Sequence, residues 1–345
     1  MKRCFFAVAL ISCSWSVLGA IPSHVMVVSS SGYLPFLTAK LAWCSGVEKV
    51  DLLIPAMEQQ SASNCMFGSG YFMETDGDGY LKDLPVPEKS REAFGEGSCS
   101  GRVRLLRGDE EPEAVSMAVE AVDAVVFCGD APYPPPFGVA EGILNGGTNI
   151  KSISAFTRTL NTENYNFICS AARKTANANI WDNNEKERKM WSDFEKRLKS
   201  NAGDKPLCLV RGGTLKGGGN GGSGNEGEEY CLEKAFYEEV QRDVVNFNLL
   251  HDCATSGSYV MKGDVGVGGG AFQILSANSD KEEVGDTGRK GAAAALVYGL
   301  GMDGDWTIRS KEGPSEPSRE VWEGLMKGQG TPGYNTKSEG ASSLF

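Results

Sequence analysis

The sequence predicts a doubly wound α/β domain, in which helices cover both faces of a mainly parallel β-sheet. Short apolar runs alternate with helix-like segments along most of the chain. These runs are apolar at consecutive positions, which is typical of strands that are buried on both faces. The chain has 345 residues and is 41% hydrophobic, so it is long enough to bury a large core. Repeated strand–helix–strand order favours parallel pairing over separate layers.

The first twenty residues are interpreted as a secretory signal peptide, with Lys2 and Arg3 preceding an apolar run over 5–17. That run is too short to span a bilayer. We expect cleavage after Ala20 and entry into the secretory pathway, with the mature protein either secreted or in the endomembrane system. The alternative destination is the plastid of a secondary-plastid alga, because residues 19–22 loosely resemble a bipartite plastid-targeting cleavage site.

The elements are predicted in a regular order. The expected segments are strand 24–30, helix 34–43, strand 50–54, strand 103–106, helix 113–121, strand 124–128, a helix near 148–160, strand 166–170, a charged helix over 184–200 and strand 207–211. One domain over 21–327 contains them all.

Three stretches interrupt the predicted alternation. Residues 56–100 are interpreted as an insertion after the second strand. The glycine-rich segment 212–227 predicts a flexible loop or lid, whose partial deletion (217–227) would leave the melting temperature nearly unchanged. The polar tail 328–345 is predicted to be disordered.

Composition excludes several partners. Lys and Arg number 34 against 45 Asp and Glu, for a net charge of −11, and no basic stretch offers a surface for nucleic acid or anionic lipid. No later run is long and apolar enough for a transmembrane segment, so we expect a soluble mature protein. A metal site is not predicted either. The chain has only two histidines and no CxxC, and the calcium-like segment 74–80 has Pro85 where a ligating Glu is needed.

Eight cysteines remain once Cys4 and Cys13 leave with the signal peptide. Three lie in predicted buried strands: Cys128, Cys169 and Cys208. Cys44 follows the first helix. The other four occupy loop-like or half-exposed contexts: Cys65, Cys99, Cys231 and Cys253. An oxidising compartment would allow one or two disulfides, whose pairing the sequence leaves open.

The turn between the first strand and the first helix is the candidate phosphate site. A helix N-terminus offers free N–H groups and the positive end of the helix dipole to a pyrophosphate. The candidate residues are Ser29, Ser31, Gly32, Tyr33 and Leu34. This turn resembles the GATGxxG turn of atypical short-chain dehydrogenase/reductases, in particular their NmrA-like group, which implies a Rossmann-like fold and NAD or NADP as cofactor. Gly32 keeps one of the three glycines, with Ser29 and Pro35 at the other two positions.

Later segments are similar to the same family over roughly residues 24–326. The matching segments are 106–109, 113–115, 122–129, 146–150, 167–170, 209–215, 288–300 and 306–313. The resemblance implies that Asp109 lies near the adenine, and that Cys128 and Gly129 pass the nicotinamide ribose. It places Arg211 in a turn near the cofactor and assigns Ser170 the position of the catalytic serine.

The catalytic pair of the family is missing from the segment between Tyr165 and Tyr230, where the resemblance places it. Hydride transfer there uses a tyrosine whose pKa is lowered by a lysine four residues later. No tyrosine occurs between Tyr165 and Tyr230, and the neighbourhood of Trp181 instead holds Asp182 and Lys186, a spacing typical of an ordinary helix-surface pair. Neither an acidic nor a basic residue follows the second strand at 54–57, so the choice between NAD and NADP is not predicted.

Three functions therefore remain open from the sequence. The first is a binding or regulatory scaffold that holds NAD or NADP without Tyr–Lys catalysis. The second is an active NAD(P)H-dependent reductase or isomerase that uses another acid. The third is a structural or assembly protein that has lost nucleotide binding. The expected partners are a dinucleotide and an unidentified small molecule or protein.

Overall fold

A computed structural model describes residues 21–87, 89–131, 133–161, 185–213, 215–219, 230–240, 257–265, 287–311 and 318–328. These residues form an eight-stranded sheet and a small two-stranded one. The strands are β1 His24–Ser29, β2 Lys49–Ile54, β3 Arg102–Arg107, β4 Ala124–Cys128, β5 Ser152–Arg158, β6 Leu207–Gly212, β7 Leu215–Lys216, β8 Gly257–Lys262, β9 Thr287–Gly288 and β10 Gly304–Lys311.

The large sheet has the order β3-β2-β1-β4-β5-β6-β10-β8, and β7 pairs with β9 in the small one. The first seven strands in this order run parallel to one another, and the last strand, β8, is antiparallel to its neighbour β10. The order reverses between β1 and β4, which is the switch point where doubly wound folds bind their ligands. The predicted fold class, a doubly wound and mainly parallel Rossmann-like sheet, is confirmed.

Nine helices accompany the sheet in the described residues. They are α1 Tyr33–Cys44, α2 Gln59–Phe67, α3 Ser90–Phe94, α4 Pro112–Ala121, α5 Phe137–Gly146, α6 Glu185–Ala202, α7 Lys234–Val240, α8 Arg289–Tyr298 and α9 Arg319–Met326, with a 3-10 turn at Ala56–Glu58. Within the described ranges, none of the helices combines the length and apolar character that crossing a lipid bilayer requires.

The core has two parts because successive strand residues point to opposite faces. Val25 and Val27 of β1 pack with α1, α2, α8 and α9, whereas Met26 and Val28 pack with α4, α5 and α6. Both faces of the central strands are therefore covered, which explains why their sequences are apolar without alternation.

The predicted helix near 148–160 is wrong, because Ser152–Arg158 forms β5. This strand pairs in parallel with β4 and β6 and alternates small and apolar residues that suit a buried strand. The helix before it is α5, whose glycines and preceding prolines concealed it in the sequence. The predicted strand 166–170, and Ser170 with it, lies outside the described residues.

The glycine-rich segment is packed over part of its length, contrary to the predicted flexible loop at 212–227. Residues 215–219 are buried. The Gly217 carbonyl accepts a 2.8 Å hydrogen bond from Arg289, and the Gly218 carbonyl accepts one of 2.8 Å from the Leu232 amide. This end of the segment therefore contributes contacts to the fold.

Deleting residues 217–227 is accordingly expected to lower the melting temperature, in place of the neutral effect that the sequence suggested. Gly218→Ala isolates the packed part, since its φ is +107° and an added Cβ would lie 3.2 Å from the Arg289 Cβ. Backbone strain of this kind lowers the free energy of unfolding by about 1–3 kcal/mol, which corresponds to a melting temperature several degrees lower. Gly70→Ala is the control for thermal denaturation, because its added Cβ meets nothing within 4 Å. Equal melting temperatures for the Gly218→Ala variant and the control would contradict the packing.

The insertion predicted at 56–100 folds against α1. Its helix α2 buries Cys65, Met66 and Phe67 in the same core as α1. Where it ends, the Trp43 indole donates a 2.9 Å hydrogen bond to the Gly101 carbonyl.

Of the four cysteines expected in loop-like or half-exposed contexts, Cys99 and Cys231 do lie in loops, whereas Cys65 lies in α2. Cys65, Cys99 and Cys231 are buried, and Cys253 lies outside the described residues. Cys128 and Cys208 are buried as predicted, whereas Cys169 falls outside the described ranges.

Candidate functional site

The candidate site lies at the carboxyl ends of β1 and β4. Two backbone hydrogen bonds join the loops that follow these strands, from the Ser30 amide to the Cys128 carbonyl (3.1 Å) and from the Asp130 amide to the Ser31 carbonyl (2.9 Å). The two loops that border the switch point are thus in direct contact.

Asp130 occupies the N-terminus of α1. One carboxylate oxygen accepts from the Leu34 amide at 3.0 Å, and the other accepts from the Tyr33 amide at 3.3 Å. The capping residue of α1 is Gly32, which has no side chain to satisfy these amides. A carboxylate at this end of a helix also interacts favourably with the helix dipole. The chain therefore supplies its own anion at the helix N-terminus where the sequence predicts a phosphate.

Arg289, the first residue of α8, balances the charge of Asp130. Two nitrogens of its guanidinium lie 2.9 Å from one Asp130 oxygen. The arginine is only 1% exposed, and a third nitrogen donates to the Gly217 carbonyl. A buried arginine needs such a partner, so Asp130 and Arg289 stabilise one another.

Arg158, at the carboxyl end of β5, completes the cluster around Asp130. Its guanidinium donates to the backbone carbonyls of Asp130 (3.1 Å) and Gly213. Burial lowers the pKa of Arg158 to about 10, although the charge of Asp130 acts in the opposite direction. The loop after β4 is therefore held through its backbone as well as through its carboxylate.

Two further acids border the α1 N-terminus. Burial, and then the nearby charge of Asp130, raises the pKa of Glu58, and one Glu58 oxygen finds no hydrogen-bond partner among the described residues. Glu239 accepts hydrogen bonds from Ser61 and from the Tyr33 hydroxyl. Burial raises the pKa of Tyr33, and Glu239 adds to the rise. A polyanion approaching here would meet carboxylates on three segments.

Gly32 and Gly129 allow the close approach of the two loops. Gly32 has φ +85°, and a Cβ added to it would lie 2.6 Å from the Asp130 Cβ. A Cβ on Gly129 would lie 1.7 Å from the Ser30 hydroxyl oxygen. The retained glycine of the turn therefore makes room for Asp130 in this structure.

An apolar groove of about 540 Å³ opens between α4 and α5, beside the ends of β2 and β3. Its walls include Val115, Val119 and Ile143, and Asp109 lies at its rim. The Asp109 carboxylate accepts a 2.8 Å hydrogen bond from the Ala56 amide. The volume of the groove lies within the usual range of small-molecule sites.

The Cys128 sulfur and the Ser29 hydroxyl, on two further residues predicted for the site, are buried in the fold. Cys128 is buried with its sulfur 3.9 Å from the Thr38 hydroxyl, and burial raises its pKa. The Ser29 hydroxyl is buried and has no hydrogen-bond partner among the described residues.

Arg211, which the resemblance placed near the cofactor, makes its described contacts with other parts of the fold. Its guanidinium is 4% exposed and pairs with Glu195 of α6 and with Asp305, at 2.8 and 2.9 Å. These two carboxylates raise the pKa of Arg211 despite its burial. The side chain therefore joins α6 and β10 to β6.

A dinucleotide fits this site only in part. The groove at Asp109 is large enough for an adenosine group. The amides that would hold the pyrophosphate, however, already donate to Asp130. The described arrangement therefore excludes a phosphate at the N-terminus of α1 unless Asp130 moves.

Comparisons with known proteins yield structural neighbours only. No known family profile and no curated protein matches the sequence. A candidate epimerase from Bacteroides thetaiotaomicron is 10% identical, with 84% of this chain and 98% of that chain covered and a TM-score of 0.42. A short-chain dehydrogenase/reductase from Veillonella parvula is 8% identical, with 86% and 96% covered and a TM-score of 0.42. The Bordetella bronchiseptica enzyme WbmF, in complex with NADH, is 11% identical, with 93% and 82% covered and a TM-score of 0.40.

Such low identities and TM-scores do not define an activity for this chain. Its class follows from its own strand order and from the position of the site at the switch point. By these features the chain is a doubly wound, Rossmann-like α/β protein.

Proposed function

We propose that this chain is a binding or regulatory scaffold with the architecture of short-chain dehydrogenase/reductases, and that Asp130 holds its dinucleotide site closed. The observation that supports the proposal most strongly is the pair of hydrogen bonds from the Tyr33 and Leu34 amides to the Asp130 carboxylate. A dinucleotide pyrophosphate and this carboxylate compete for the same two donors.

The competition weakens dinucleotide binding without abolishing it. A bound pyrophosphate must displace Asp130 from the helix N-terminus and from Arg289, and it must then approach Glu58 and Glu239. Once Asp130 is displaced, Arg289 and the two amides become available to the phosphates. We therefore propose that NAD or NADP binds weakly, with its adenosine end in the groove beside Asp109.

The proposal assigns no proton transfer to the site. The sequence has one Tyr-x-x-x-Lys, at Tyr230–Lys234. The Tyr230 hydroxyl is buried 3.4 Å from the Lys290 carbonyl, whereas the Lys234 side chain is 86% exposed. At the carboxyl end of β5 the described residues hold Thr157, which is buried, and Arg158, which donates to two carbonyls. Thr157 and Arg158 do not form an acid–base pair of the kind that hydride transfer requires. We further propose that the protein works in the secretory pathway, as its three-part N-terminus indicates.

Thermal denaturation of the mature chain with NADH or NADPH tests the proposal. A ligand present at its Kd stabilises a protein by about 0.4 kcal/mol, which corresponds to roughly 1 °C. We expect shifts of this size only at millimolar dinucleotide, and no steady consumption of cofactor with aldehydes, ketones or quinones. Steady oxidation of NADPH would refute the scaffold and favour a reductase. A shift of many degrees at micromolar concentrations would refute the closed site.

A structural protein that never binds a dinucleotide is the second candidate, because the same Asp130 contacts would suit it. The two candidates differ in the response to removal of Asp130. A scaffold with a closed site gains dinucleotide affinity in the variant, whereas a structural protein gains none.

A further inference from the structure

Two buried cysteines meet at the opposite end of α1 from the candidate site. Cys44 is the last residue of α1, and Cys99 lies in the turn that ends the insertion. Their sulfur atoms are 3.3 Å apart, and the two residues are 0% and 8% exposed. We propose that Cys44 and Cys99 form a disulfide bond that fastens the insertion to α1.

The surrounding contacts hold the two sulfurs together. The Trp43 indole donates to the Gly101 carbonyl at 2.9 Å, so residues beside both cysteines are joined. Gly101 also packs tightly, since a Cβ added there would lie 1.9 Å from the Val47 carbonyl oxygen. Closing the bond from 3.3 Å to the usual ~2.05 Å is a movement of roughly 1 Å.

The backbone of Cys99 supports a specific role for its side chain. Its φ is +56°, a left-handed conformation that few residues with a side chain adopt. The neighbouring positions Gly97 and Ser100 are exposed, so an oxidant can reach this turn after a small local opening.

The two thiols are chemically unequal. The hydrogen bond between them lowers the pKa of Cys99 and raises that of Cys44, and burial raises the pKa of Cys44 further. Ser90 and the charge of Lys40 also favour the Cys99 thiolate. Since the thiolate is the nucleophile in disulfide exchange, Cys99 reacts first.

The reaction is a thiol–disulfide exchange with a small-molecule disulfide such as oxidised glutathione. The Cys99 thiolate attacks one sulfur of glutathione disulfide, forms a mixed disulfide and releases one glutathione thiolate. Cys44 then loses its proton, attacks the Cys99 sulfur and expels the second glutathione. Two electrons and two protons pass in all from the cysteine pair to the glutathione disulfide, which becomes two glutathiones.

The bond would constrain the unfolded chain over a long loop, because the two cysteines are 55 positions apart. Disulfides that close loops of this length stabilise proteins appreciably. The Cys44–Cys99 bond would also hold α1 against the insertion. The N-terminus of α1 carries the Asp130 contact, and the insertion supplies Glu58.

Peptide mapping of the mature chain tests the proposal without relying on the predicted secretion. Protein equilibrated in a buffer of oxidised and reduced glutathione is alkylated and digested with trypsin without reduction. We expect mass spectrometry to find peptides 41–49 and 92–102 joined, with the mass of two hydrogen atoms lost, and Cys128 and Cys208 alkylated. Alkylated Cys44 and Cys99 would overturn the proposal. So would a bond from Cys44 to Cys231, which lies close enough for its charge to raise the pKa of Cys44.

A second readout compares melting temperatures with and without dithiothreitol. The reductant should lower the melting temperature of the oxidised wild type by roughly 5–10 °C. It should leave Cys99→Ser unchanged, while Cys208→Ala, which removes a buried thiol elsewhere, keeps the response. Equal responses of Cys99→Ser and wild type would contradict the bond. The peptide map still decides the question if a variant does not fold.

Discussion

Replacing Asp130 with alanine is expected to tighten the binding of NADH and NADPH by roughly ten- to a hundredfold, or about 1.4–3 kcal/mol. The variant frees the amides of Tyr33 and Leu34 and leaves the buried Arg289 without its carboxylate. A helix N-terminus beside an arginine is a favourable phosphate site. Isothermal titration calorimetry of wild type and variant at one salt concentration measures the change.

The same substitution lowers the stability of the ligand-free protein. The two capping bonds account for about 0.5–2 kcal/mol, and the unpaired Arg289 adds to the loss. Asp130→Asn is the milder variant, since it removes the charge and keeps the side-chain shape. We expect it to bind more tightly than wild type and less tightly than Asp130→Ala.

Asp123→Ala is the matched control for Asp130. Asp123 lies at the other end of β4, where it pairs with the exposed Lys151 at 2.8 Å. Its removal should leave dinucleotide affinity unchanged. Unaltered affinity in the folded Asp130→Asn and Asp130→Ala variants would show that this carboxylate does not restrict the site.

Arg211→Ala is expected to lower the free energy of unfolding by about 3–5 kcal/mol. The arginine is almost fully buried and pairs with Glu195 and Asp305, so its loss leaves Glu195 as a buried charge without its partner. Urea denaturation at neutral pH measures the loss of stability. The substitution should leave the weak dinucleotide binding of the folded protein unchanged.

Arg107→Ala provides the comparison for Arg211. Arg107 pairs with Glu110 and Glu111 at the surface, where such pairs contribute about 0–1 kcal/mol. A loss for Arg211→Ala that does not exceed the loss for Arg107→Ala would contradict the structural role. Selective loss of dinucleotide binding would restore the cofactor role inferred from the resemblance.

Most of the central sheet could be predicted because its strands are buried on both faces. The continuous apolar runs of β1 and β4 have no competing interpretation, and the structure places β4 at the predicted residues. The sequence of β5 does not indicate a strand, because its serines and threonine weaken the apolar pattern, although its partners β4 and β6 bury it.

The candidate site was less predictable because it depends on long-range contacts. The turn at Gly32 has a local signal, but its occupant, Asp130, lies almost a hundred residues further along the chain. Arg289 is 159 positions from Asp130, and nothing in its own segment marks it as a partner. The sequence does contain one signal for Asp130: an acidic residue just after β4 lies at the switch point once β4 pairs with β1.

Nuclear magnetic resonance of the Leu34 amide tests the occupied helix N-terminus most directly. Labelling tyrosine with carbonyl ¹³C and leucine with ¹⁵N selects Tyr–Leu peptide bonds, and the sequence has two, at Tyr33–Leu34 and Tyr80–Leu81. The Leu81 amide donates to the Val103 carbonyl and serves as the internal reference. On addition of NADH we predict that the Leu34 signal shifts in Asp130→Ala at concentrations that leave the wild-type signal in place. Equal shifts of Leu34 in the two proteins at the same NADH concentrations would contradict a site closed by Asp130.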